Sequence, residues 1–191
     1  PETVVPYWTA STDAFWKQTL AELKASGKTV LIGARIPASA PATGPVYDFS
    51  AELAALRGAS SIASTRAPGA EKWSPGYFNG LVIRGAQAAI FEQRLPVPVA
   101  MWNPLRPDSA PLRLAGPGVI PIGGKRAAIL ICYEQLITWP VLTSMLQRPQ
   151  ILIGAANDYW AVNTPIPRFQ RSAVQSWSRL LGIPYVLAVN T

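Results

Sequence analysis

The stretch Arg126-Ala127-Ala128-Ile129-Leu130-Ile131-Cys132-Tyr133-Glu134 decides the fold. Five apolar residues lead into a sulfur, and a tyrosine and a carboxylate follow it. An apolar run of this length reads as a strand buried on both faces. The carboxyl end of such a strand is where open α/β sheets place their chemistry. Cys132 is the only cysteine in the chain, so the thiol is either a small core hydrophobe or a nucleophile.

The flanking sequence alternates strand and helix signals. Upstream, Ser11-Thr12-Asp13 offers a helix N-cap, and Phe15, Trp16, Leu20 and Leu23 fall on one helical side before Gly27. Thr29 to Ala34 reads as a buried strand. Residues 37–76 are rich in Pro, Gly, Ala and Ser, with only Ser50 to Leu56 helical in pattern. Tyr77 to Arg84 and Ala88 to Gln93 read as adjacent strands split by Gly85, and Leu95 to Pro121 as Pro-rich and irregular. Gln135 to Gln147 reads as a helix interrupted at Pro140, and Gln150 to Ala155 as a buried strand. Pro167 to Leu181 follows as a helix with Phe169, Ala173, Val174, Trp177, Leu180 and Leu181 on one face and Gly182 as its stop. Tyr185 to Val189 is the last strand. This alternation predicts an α/β fold with a sheet core.

Composition narrows the chemistry. With 191 residues, 49% hydrophobic, the chain can bury a sizeable core. Histidine is absent, so no Ser-His-Asp or Cys-His pair can operate within it, and a metal site of the usual His type is excluded. Any general base is Glu, Asp, Lys or Tyr. No cofactor is expected, since neither a Walker A motif nor a GxGxxG run follows a strand. The net charge of +7 is carried by scattered Lys and Arg, which argues against a nucleic-acid partner. No stretch reaches the roughly 18–20 uninterrupted apolar residues of a membrane span.

Five segments then fall into an ordered set: Pro1-Glu2-Thr3, Tyr77-Phe78-Asn79-Gly80, Phe91-Glu92-Gln93-Arg94, Ile131-Cys132-Tyr133-Glu134 and Asn157-Asp158-Tyr159-Trp160. In this order and spacing the chain resembles the nitrilase, or carbon–nitrogen hydrolase, superfamily. The resemblance is to its apolipoprotein N-acyltransferase-like branch, nearest the TraB-type conjugal transfer proteins. It implies an αββα sandwich with a Glu-Lys-Cys triad. Glu2 is then the general base and Cys132 the nucleophile that forms an acyl thioester. Tyr133 offers a backbone oxyanion donor, Glu134 orients the turn, and Asn157 and Trp160 shape the pocket. The family lysine falls on Gln93, with Arg94 as the alternative cation. Alternate strand residues share a face, so Gln93 aligns with Phe91 and Ala89, and Arg94 with Glu92 and Ile90.

The resemblance further implies acyl transfer or amide and nitrile hydrolysis on an acyl or amide substrate, with a membrane lipid as another source of acyl groups. The partners it implies are conjugation-machinery proteins. Its alternative is a catalytically weakened binding or assembly module, because Gln93 replaces the lysine. Residues 1–191 are expected to form a single domain, truncated at both ends and cut from a longer membrane-anchored protein. The expected location is the bacterial inner membrane, with the domain on its periplasmic side.

Overall fold

The computed structural model describes residues 4–38, 76–106 and 108–190. Glu2 and the helical pattern Ser50 to Leu56 lie outside them. The elements run α1 (Ala10–Ala25), β1 (Thr29–Pro37), β2 (Tyr77–Gly85), β3 (Ala89–Glu92), β4 (Val119–Ile122), β5 (Lys125–Ile131), α2 (Thr138–Met145), β6 (Ile151–Asn157), α3 (Ile166–Leu181) and β7 (Tyr185–Asn190). Two short 3-10 turns, Cys132–Leu136 and Tyr159–Ala161, follow β5 and β6.

The strands form two sheets. The first is antiparallel in the order β1-β2-β3, and the second runs β4-β5-β6-β7. In the second sheet β4 is antiparallel to β5, while β5, β6 and β7 are mutually parallel. Alternation of side chains along each strand sorts them into layers. Leu81, Ile83 and Phe91 of the first sheet pack with Ile120, Ile129, Ile131, Cys132 and Ala155 of the second. The opposite face of the second sheet packs Ala128, Leu130 and Leu152 against Val141 of α2 and Val174 of α3. The far face of the first sheet buries Trp8, Ala34, Ile36 and Val82, and α1 lies against its strands. Helix, sheet, sheet, helix is the expected αββα sandwich. Because β5 is covered on both faces, Ala127 through Ile131 are all fully buried.

Several local expectations need correction. Helix α1 starts at Ala10 with Thr9 as its N-cap, and the Thr12 hydroxyl accepts from the Thr9 N–H at 3.2 Å. Phe15 is 80% exposed, so the apolar side read from the sequence is only partly used. Strand β4 was hidden by Pro117 and Pro121; it pairs with β5 alone, an edge position that tolerates proline. The helix over Gln135 to Gln147 is a 3-10 turn followed by α2, with Pro140 in the first turn of α2, where the missing N–H costs nothing. The buried face of α3 is rotated by one residue: Phe169 and Leu180 are exposed, while Gln170 and Val174 are buried.

The inner-membrane placement is also overturned. Among the described residues no helix is long and apolar enough to cross a membrane.

Candidate active site around Cys132

Strand β5 stops one residue short of the sulfur. Cys132 has φ = +48°, a left-handed conformation that a non-glycine residue seldom adopts. It turns the chain out of the strand and directly into the 3-10 turn. The thiol is 6% exposed and packs in the core between the sheets. Strain of this kind persists only where the surroundings over-determine it.

Glu134 supplies much of that determination. Its side chain is fully buried. One carboxylate oxygen accepts from the N–H groups of Arg94 and Leu95 at 2.7 and 2.9 Å, and the other from the Ile131 N–H at 3.0 Å. The Arg94 Nε lies 3.7 Å from Oε1. Burial pushes the Glu134 carboxyl above its ordinary range, and Arg94 and the three N–H donors pull it back. The side chain thus ties the segment after β3 to the end of β5.

Gln93 and Arg94 leave that segment in different directions. The Gln93 amide nitrogen donates to the carbonyls of Ile131 at 3.1 Å and Leu95 at 3.2 Å, and its oxygen accepts from Asn79 Nδ2 at 2.8 Å. Gln93 therefore sits against the residue before Cys132, but both its N–H groups are taken up. The Arg94 guanidinium donates to the carbonyls of Ile129 and Pro140 and to the Thr143 hydroxyl, toward α2.

The remaining residues singled out by the sequence lie on the turn after β5, at the end of β6 and on the turn that follows it. Tyr133 is half-buried beside the thiol in the chain. Asn157 ends β6 and accepts from Asn190 Nδ2 at 3.0 Å, joining the ends of β6 and β7. Trp160 is 66% exposed. Among the described residues no group of three or more His, Cys, Asp or Glu side chains could hold a metal ion. A cleft of about 280 Å³ opens elsewhere, lined by Tyr7, Tyr77, Met101, Asn103 and Arg106 among others. Val99 to Met101 edge it in a tight turn, with the Met101 N–H bonded to the Val97 carbonyl.

Two further buried polar groups lie near the thiol turn, Asp158 of the Asn157-Asp158 pair and Gln170, which the sequence reading left out. Asp158 is fully buried at the start of the second 3-10 turn, and Gln170 is buried in the second turn of α3. Gln170 is spaced four and seven residues from Val174 and Trp177. It continues the apolar stripe as its one polar member, which was the available signal.

Comparison with known proteins bears on the whole arrangement. No protein-family profile matches the chain. The probable conjugal transfer protein TraB of Sinorhizobium fredii is 35% identical over 147 residues, 73% of this chain. The conjugal transfer protein TraB of Agrobacterium fabrum is 35% identical over 146 residues, 72% of this chain. This is a nitrilase-type fold related to TraB. A mutant of the Nesterenkonia AN1 amidase from the nitrilase superfamily superposes with a TM-score of 0.51 over 95% of this chain and 55% of its own, at 12% identity, a likeness of fold. The chain spans about a third of the length of the TraB proteins it matches, 35% and 34%.

Proposed function

We propose that this TraB-related chain carries an acyl-transfer or amide-hydrolysing centre of the nitrilase type that serves a conjugation machinery through a thioester on Cys132. The observation that carries the reading is the left-handed turn at Cys132, which presents a thiol at the carboxyl end of a fully buried strand. Glu2 takes the thiol proton. The thiolate attacks an acyl carbon, the bond to the leaving nitrogen or oxygen breaks, and that atom leaves protonated. Glu2 gives its proton to that leaving atom; water or an amine then attacks the thioester, passing a proton back to Glu2, and sulfur departs as thiolate. The first N–H groups of a helical turn lack partners within it, so the Tyr133 N–H serves the oxyanion.

A second reading has its own support. Gln93 has no N–H to spare and no charge, so nothing at the lysine position stabilises an oxyanion. A missing donor of this kind costs about 3–4 kcal/mol of transition-state stabilisation. On this reading the fold serves as a binding or assembly module among conjugation proteins. Intact-mass analysis after exposure to activated esters and amides separates the two. A single acyl adduct, lost in Cys132→Ala with unchanged thermal unfolding, is expected for the first; absence of any adduct across the series selects the second.

A further inference from the structure

Neither the buried amide of Gln170 nor the carboxyl of Asp158 has a part in the chemistry above. Gln170 is 2% exposed and Asp158 is fully buried. In the orientation that satisfies the carboxylate, the Gln170 amide nitrogen donates to Asp158 Oδ1 and Oδ2 at 3.0 and 2.9 Å. The amide oxygen then lies 3.7 Å from the Cys132 sulfur, within reach of an S–H donor. The three residues come from three places: the end of β5, the turn after β6 and the second turn of α3.

We propose that Gln170 is a positioning residue for Cys132, an amide relay through which Asp158 sets whether the thiol holds or releases its proton. The proposal rests on Cys132 being the reacting group, as read above. An amide has one donating end and one accepting end. While Asp158 is a carboxylate it occupies the donating end, and the oxygen left for sulfur favours S–H. When residue 158 can itself donate, the amide turns over and its N–H groups face sulfur, favouring the thiolate. Asp158 and Cys132 thus share one negative charge in a dry place. Burial pushes the Asp158 carboxyl above its ordinary range.

The other ionisable groups nearby are differently engaged. Glu134 is held by Ile131, Arg94 and Leu95, and Arg94 is turned to α2. Tyr133 is half-buried on the same turn, and Arg168 and Arg171 on α3 are exposed. Glu2, the remaining carboxylate assigned to the reaction, lies outside the described residues.

One cysteine gives one resonance, so the full chain labelled with ¹³Cβ-cysteine reports the ionisation of Cys132 without any reagent having to reach it. Asp158→Asn should lower the Cys132 midpoint by about one pH unit, a tenfold change. The same substitution should do nothing in a Gln170→Met background. An equal shift in both backgrounds would make Asp158 a bare charge and overturn the relay, as would no shift in either. Should Gln170→Met fail to fold, the side-chain ¹H–¹⁵N signals of Gln170 in the unsubstituted protein decide: they should move with the Cys132 midpoint, and flat signals refute the proposal. Adduct formation with acyl donors is scored separately by mass. Adducts with uncoupled titration sink the relay alone, and coupled titration without adducts sinks the acyl reading alone.

Discussion

Asp158 and Gln93 show how a polar side chain can be committed by its neighbours. The raised carboxyl of Asp158 means that between its unfolded value, about 3.9, and its folded one the native state binds more protons than the unfolded chain. Its contribution to stability is therefore fully present below the unfolded value and is lost as pH rises through the folded value. Asp158→Asn removes that loss, so its melting temperature relative to the parent should climb from pH 4 toward pH 7 in scanning calorimetry; a constant difference would contradict the assignment. Gln93 is bound on three sides, and lysine offers no acceptor for Asn79 Nδ2. Gln93→Lys should therefore cost about 1–3 kcal/mol in denaturant unfolding, a charge being no simple restoration of the lysine. The backbone strain at Cys132 could not be read from residue types, because positive φ leaves no mark on a cysteine.

Strands written as apolar runs were legible, β5, β6 and β7 to within two residues at each end. Legibility failed where an element depends on its neighbours. Strand β4, Val-Ile-Pro-Ile, exists because β5 offers it a partner, and Pro121 disguised it. The face of α3 was misread by one position because its one polar member, Gln170, is buried through bonds made with the turn after β6. Gly118 is a further case, reading as a loop breaker beside Pro117. A side chain there would run into the Ser144 hydroxyl and the Arg94 guanidinium, so the glycine is what lets α2 and Arg94 close over β4. Gly118→Ala should destabilise by about 1–3 kcal/mol, as overpacking does, and thermal unfolding would read it. Gly154→Ala on β6, facing Leu187 and Val174 side chains instead, should cost less, since methyl groups can yield.

The layering of the two sheets was legible through family resemblance more than through periodicity, which shows that strands exist but not which faces meet. What joins the layers at the thiol is the Glu134 carboxylate, bonded to backbone 40 and 39 residues away at Arg94 and Leu95. The strand pairings within the sheets are nearer in sequence, except that of β1 with β2, which spans 40 to 56 residues. Closing a long loop costs entropy before its contacts repay it. The carboxylate clasp should therefore form after the main folding barrier, and Glu134 should have a φ-value near zero. Glu134→Gln, which breaks a buried charge pair worth about 3–5 kcal/mol when disrupted, is expected to leave the refolding rate almost unchanged and to speed unfolding by roughly 100-fold or more. Stopped-flow chevrons measure both limbs; a slowed refolding limb would place the clasp in the nucleus. With the clasp made late, the lifetime of the assembled thiol turn is governed by how fast this one carboxylate lets go, a kinetic lock set apart from the equilibrium stability of either sheet.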